Sequence, residues 1–222
     1  MPAGRSVIGM PRIIDISPLV SERIGVFPGD VPYRRHVSLS LDAGDNIGLS
    51  DLHSTVHVGA HADAPSHYVR GGPSISERPL APYFGPCQVI DLAVPRGARA
   101  LPRDLRADVQ APRVLFKTSS FPDPNVFNED FSSLSPGLVD LLHARGVLLV
   151  GIDTPSIDPC HDPVLESHQA VARHDMCILE GLVLSHVSPG LYTLVAFPLK
   201  LEAADASPVR AVLLAPELDF PA

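Results

Sequence analysis

The 222-residue chain has no tryptophan, only three cysteines and very little lysine. Each shortage narrows what the molecule can be. Cys87, Cys160 and Cys177 are odd in number and far apart, so they give no disulfide framework and no paired-cysteine metal clip. A reducing cytoplasm fits that usage. Cys87, in Gly-Pro-Cys-Gln-Val-Ile-Asp-Leu, reads as a small core residue on a strand. Long apolar runs are also missing: stretches such as Val147 to Val150 fall far short of the ~20 residues that cross a bilayer. The opening Met-Pro-Ala-Gly-Arg-Ser leads into no apolar signal core. Lys and Arg total 17 against 25 Asp and Glu, a net charge of −8, which argues against a nucleic-acid or anionic-membrane partner. There is no Gly-x-Gly-x-x-G and no phosphate loop, and Ser119-Ser120 lacks the Gly-x-Ser-x-Gly frame of a serine nucleophile.

What remains suits a globular protein. Apolar residues make up 45% and charged residues 19%, in the range of one domain with a sizeable core. That domain is expected to span residues 1–222, with 1–11 as a flexible start. The 24 prolines are spread along the chain and imply many loops.

Hydrophobic patterning predicts strands at residues 12–16, 37–41, 89–92, 114–116, 147–152, 191–197 and 209–214. Turn chemistry fills 17–30, and a polar, Gly-containing loop is expected over 42–52. One helix is clearly marked. Ser135 can cap it, Pro136 suits its first position, and Gly146 can end it. Strands outnumber helices, so the expected fold is an α/β domain with a substantial sheet.

The chemistry is concentrated in histidines. Of 10 in the chain, His53, His57, His61 and His67 fall within 15 residues, where even scatter would put fewer than one. Imidazole and carboxylate are the usual ligands of catalytic zinc, and His57, His61 and Asp63 can supply three. Gly59, Ala60, Ala62 and Ala64 between them are small enough for the backbone to curl around an ion. The four-residue spacing of His57 and His61 would allow one helical face. Gly59 and Pro65 make a strand-to-loop placement equally good. His67, after Pro65, can share the cavity without binding metal and act as general acid/base. A second group, from Glu166 through His168 and His174 to Glu180, is a candidate source of ligands for a second ion, which Asp63 could bridge. His53 reads as a surface or outer residue and His174 as outer or packing. His36, His143, His161 and His186 read as ordinary surface positions. Asp153 can orient a ligand or cap a loop.

These residues carry a resemblance. The run His57-Val-Gly-Ala-His61-Ala-Asp63-Ala-Pro65-Ser-His67 resembles the signature of the cyclase-like metal-dependent hydrolases. Residues 27–30, 151–159, 168–181 and 206–211 extend the likeness over almost the whole chain, and within the superfamily it is greatest to the bacterial kynurenine formamidases. The resemblance implies a swivelling β/β/α fold with a mixed sheet and few helices. It implies two zinc ions per subunit, with Mn²⁺ or another divalent metal as an alternative. His57, His61 and Asp63 would hold the first ion; Asp63, His168 and Glu180 the second. His67 would be the proton donor and acceptor. The reaction implied is hydrolysis of N-formyl-L-kynurenine to L-kynurenine and formate in tryptophan breakdown, by hydroxide held between the ions. Family members commonly form homodimers or larger homo-oligomers. Phe27 stands where the pattern has a substrate-packing tryptophan, and Gln169 replaces a second histidine beside the His168 ligand. The Phe27 departure keeps two alternatives in view: a hydrolase of cyclic amides or lactones such as isatin, and a non-catalytic metal-binding protein.

Overall fold

The computed structural model describes residues 12–215; the expectation for residues 1–11 lies outside them. The strands are β1 (Ile13–Asp15), β2 (Arg34–Leu39), β3 (Leu49–His53), β4 (His61–Asp63), β5 (Phe84–Asp91), β6 (Arg99–Ala100), β7 (Arg113–Lys117), β8 (Ser133–Leu134), β9 (Leu149–Ile152), β10 (Cys177–Glu180), β11 (Gly190–Val195), β12 (Ala206–Pro208) and β13 (Val212–Leu214). Two α-helices accompany them, α1 (Pro136–Ala144) and α2 (Glu166–Arg173).

Nine strands form one mixed sheet in the order β1-β13-β11-β5-β7-β9-β10-β4-β12. Its middle, β5-β7-β9-β10, is parallel, and these strands read as continuous apolar runs because both faces are covered. On one face α1 and α2 bring Leu138, Val139, Leu142, Ala170 and Val171 against Phe116, Val150, Ile152 and Ile178. On the other face Ile16, Tyr83, Cys87, Leu115, Leu149 and Leu179 pack with Leu194 and Leu213. Cys87 is thus a core residue, and burial pushes its thiol up to about 12. Each fully buried Leu or Ile contributes about 1.5–3 kcal/mol relative to exposure.

Helix α1 forms as its sequence predicts. The Ser135 side chain accepts from the Leu138 N–H at 3.2 Å, and Pro136 opens the helix. Gly146, at φ +81°, follows its end. Three sequence expectations shift. The strand predicted over 37–41 lies at Arg34–Leu39, and the stretch expected as loop over 42–52 becomes β3 at its far end. β2 and β3 form a separate antiparallel hairpin whose residues are nearly all exposed, so burial imposes no alternation for the sequence to show. The strand predicted over 209–214 begins at Val212.

Candidate metal centre and active site

The site is built at one edge of the parallel strands. β10 runs between β9 and β4, and its antiparallel register on β4 sets Glu180 opposite His61 and Ile178 opposite Asp63. All three residues of β4 are buried. The chain enters β4 through a turn that carries His57, so the strand-to-loop placement holds and the helical one does not. Gly181, immediately after Glu180, touches this turn. A Cβ there would lie 2.1 Å from the Gly59 carbonyl oxygen. On the far side, β12 pairs with β4 and sets Asp205 beside it, its carbonyl accepting from the Ala64 N–H at 2.8 Å.

These elements bring together all five expected ligands. His57 Nδ1 lies 3.1 Å from Asp63 Oδ1, and His61 Nε2 lies 3.5 Å from the same oxygen. His168 Nε2 lies 3.3 Å from Asp63 Oδ2 and 3.5 Å from Glu180 Oε1. His61 Nε2 also lies 3.4 Å from Glu180 Oε2. Tetrahedral coordination at about 2.0–2.1 Å sets neighbouring donors roughly 3.3 Å apart, so these separations suit metal ligands. Asp63 Oδ1 is buried and accepts no hydrogen bond, although such an atom is normally paired. The residues therefore fit a divalent cation.

The outer nitrogens of the three histidines support the same reading. His61 Nδ1 donates to the Gly59 carbonyl at 2.9 Å. His168 Nδ1 faces Asp158 Oδ2 at 2.8 Å, and His57 Nε2 faces Asp205 Oδ2 at 2.9 Å. A carbonyl or carboxylate oxygen can only accept, so each ring turns its other nitrogen toward the acidic centre. This is how ligating histidines are commonly oriented. Without a cation, the cluster's negative charge is balanced by protons. Burial opposes the charged form of His57, but Asp63 and Asp205 outweigh it and raise the ring to about 9. Burial likewise opposes charge on His168, yet Asp158, Asp63 and Glu180 raise it to about 10. Asp63 is held well below the usual carboxylate range, its burial outweighed by His168 and His57. A bound cation would compete with those protons.

His67 stands at the edge of this donor set: one of its ring nitrogens lies within 4.8 Å of donor atoms of His57 and Asp63, so the three could also share a cation. Its ring centroid is 4.3 Å from His57 and 6.1 Å from His168, and about a third of its side chain (34%) is exposed. Its Nδ1 lies 3.4 Å from Asp205 Oδ2. His57, His61, His67, His168 and Glu180 all line a cleft of about 850 Å³. Phe27 forms part of its wall, edge-on to Phe127 at 5.3 Å, and Phe121 packs edge-on to Phe127 at 5.7 Å.

Sequence reasoning missed Asp158 and Asp205. Each is a single aspartate in an irregular segment, and no local pattern marks its role. The choice for Asp153 is settled: it accepts from the Thr118 and Ser119 N–H groups at 2.8–3.0 Å and so caps a loop. Its burial raises its pKa against the pull of those bonds. Gln169 donates to the Tyr68 carbonyl at 2.8 Å. His174 bonds Asp140 at 2.7 Å and stacks on His143 at 4.0 Å, on α1 rather than at the centre. His53, His36 and His161 are exposed; His36 pairs with Asp51 and His161 with Glu129. His186 is also exposed and bonds the Asp15 carbonyl.

A family model described as putative cyclase matches residues 14–159, which include the whole histidine run. The chain belongs to the cyclase family. Among curated cyclase relatives, a Bordetella petrii protein named kynurenine formamidase is 47% identical over 206 residues, covering 92% of this chain and 98% of its own. The Bordetella pertussis protein of the same name is 48% identical over 207 residues, with the same coverage. Among solved structures, a potential metal-dependent hydrolase with cyclase activity aligns with a TM-score of 0.80 at 28% identity, covering 93% of this chain and 99% of its own. Isatin hydrolase A from Labrenzia aggregata aligns with a TM-score of 0.77 at 22% identity, over 93% and 94%, a likeness of fold. The mixed sheet with only two α-helices among the described residues is the fold of these cyclase-like proteins. No helix among those residues is long and apolar enough to cross a membrane.

Proposed function

We propose that this cyclase-family hydrolase converts N-formyl-L-kynurenine to L-kynurenine and formate in tryptophan degradation. The observation that carries the reading is one juxtaposition. Five buried or half-buried donors from two distant segments come together around Asp63, and a fourth histidine, His67, stands beside them, more exposed than the other three. The relatives named kynurenine formamidase give the substrate.

His57, His61 and Asp63 would hold one cation, and Asp63, His168 and Glu180 a second; zinc suits the mixed nitrogen and oxygen donors, and Mn²⁺ is an alternative. When bound, such cations lower the pKa of water and polarise a carbonyl oxygen. The chain's own residues do the rest. Phe27, backed by Phe127, offers an apolar face to the substrate's aryl ring. The cleft wall excludes bulk water from the formyl group. Water adds to the formyl carbon, the carbon–nitrogen bond breaks, and the departing aryl amine needs a proton. His67 takes the proton released by the water and delivers it to that nitrogen. Asp205 lies beside Nδ1 at 3.4 Å, which leaves Nε2 for the transfer.

The test is formate release from purified protein on N-formyl-L-kynurenine, with metal content measured on the same sample. Turnover on the formyl amide with two ions per chain is expected. Turnover confined to isatin-like rings would make it a cyclic amide hydrolase. A loaded sample inert to both would make it a metal-binding protein without catalysis.

The active form inferred is a single-domain chain assembled as a homodimer or higher homo-oligomer in the cytoplasm. Three free cysteines support the compartment. The exposed β2–β3 hairpin supports the assembly, because an isolated two-stranded hairpin is marginal in water.

A further inference from the structure

The two proposed cation sites rest on different parts of the fold. The first is carried by the turn before β4 and by β4 itself. The second takes Glu180 from the sheet but His168 from α2, a helix of eight residues that begins after Leu165 in a left-handed conformation, φ +55°. Ala170 and Val171 seat that helix on the sheet, and the aim of His168 at Asp63 calls for a polar anchor as well.

Asp158 is the direct anchor. It is fully buried and accepts from the Ser167 N–H, the His168 N–H and His168 Nδ1 at 2.8–3.0 Å. A buried carboxylate with so little exposure requires a cationic partner as well as neutral donors. Arg99 supplies it. The Arg99 NH1 group lies 3.2 Å from Asp158 Oδ1 and 3.2 Å from Glu166 Oε2, and NH2 bonds Asp162 Oδ2. One guanidinium thus sits among three carboxylates: it hydrogen-bonds Asp162 in the cleft wall and faces Asp158 behind His168 and Glu166 in the first turn of α2 through charge alone, since NH1 makes no hydrogen bond. Arg99 belongs to β6, which pairs with β8 in a small sheet separate from the one that carries Asp63 and Glu180.

We propose that Arg99 is a positioning residue for the second cation: through Asp158 it aims His168 at Asp63 and Glu180. This rests on the two-cation reading above. Arginine suits the task because its planar fork reaches several carboxylates at once, which a lysine cannot do.

The test is metal titration of the purified, full-length protein with Zn²⁺, following both binding steps by calorimetry and competing chelators, alongside formate release. In the unaltered protein two ions are expected. In Arg99→Gln the first ion should bind as before. The second should bind at least about tenfold more weakly, the loss found for outer partners of metal ligands. Its kcat should fall at limiting zinc and recover at excess zinc, with KM little changed. A merely structural defect would lower folded protein without separating the two steps. Two ions held by Arg99→Gln with unaltered affinity would overturn the role of Arg99 and leave the two-cation reading standing. Only one ion in the unaltered protein would overturn both. If Arg99→Gln does not fold, Arg99→Lys decides: a several-fold weaker second step supports the inference, and an unaltered second step overturns it.

Discussion

His57 and His67 are ten residues apart, chemically identical, and in contact through rings 4.3 Å from each other. Their partners distinguish them. His57 bonds Asp205 through one nitrogen and turns the other toward Asp63 at 3.1 Å. His67 has Asp205 alone among the carboxylates and remains partly open to the cleft. A ligand needs a fixed lone pair, whereas a proton carrier needs one nitrogen free to exchange. His67→Ala is therefore expected to keep its bound metal and lose turnover by about 10²–10⁴-fold. Metal analysis and formate release on one preparation check this. Full activity in the variant would end the acid/base assignment, and loss of metal would make His67 a ligand. At this scale the sequence was readable where like residues cluster, as from His57 to His67. Asp158, Asp205 and Arg99 were not readable, because isolated charged residues in loops and short strands look alike until the chain folds around them.

At the scale of elements, the site depends on the close approach of two turns. Gly181 has φ +64°, and its missing side chain leaves room for the Gly59 carbonyl that holds His61. Gly181→Ala would add a carbon against rigid backbone at a strained φ. The variant is expected to lose more than ~1 kcal/mol of stability and to show weaker metal binding as the His61 anchor shifts. Thermal unfolding with and without zinc measures both, and a melt equal to that of the unaltered protein would show that the contact yields easily. Helix α1 was legible because Ser135, Pro136 and Gly146 each signal locally. Strand β3 was not, because Leu49–His53 is exposed along its whole length and no buried face imposes a period of two. α2 carries no capping side chain, and Asp158, ten residues before His168, anchors its first turn.

For the whole molecule, the two buried apolar clusters flank the nine-strand sheet, and the β2–β3 hairpin adds no residue to either. Val37 and Leu52 are 45% and 65% exposed on one face of it. Open strand edges and exposed apolar side chains are costly to leave in water. Light scattering on a sizing column is expected to give a mass of at least twice the 23.7 kDa chain. Val37→Asp with Leu52→Asp should move it toward one chain. A single-chain mass for the unaltered protein would dispose of the homodimer, and an unmoved assembly in the variant would place the interface elsewhere. The mixed α/β architecture was legible from apolar runs and turn residues. The nine-strand order was not, since β4 and β12 are three residues each and owe their pairing to contacts across the chain.

The pairing of β4 with β10 has one more consequence. Alternate residues on a strand face opposite ways, so a slip of a single position would turn His61 away from Glu180 and empty the centre of half its donors. On the proposed two-cation reading, metal held by a preparation would count correctly assembled molecules. Such a slipped chain would have no weakened site to repair, because the alignment that completes the sheet is the same one that makes the catalyst.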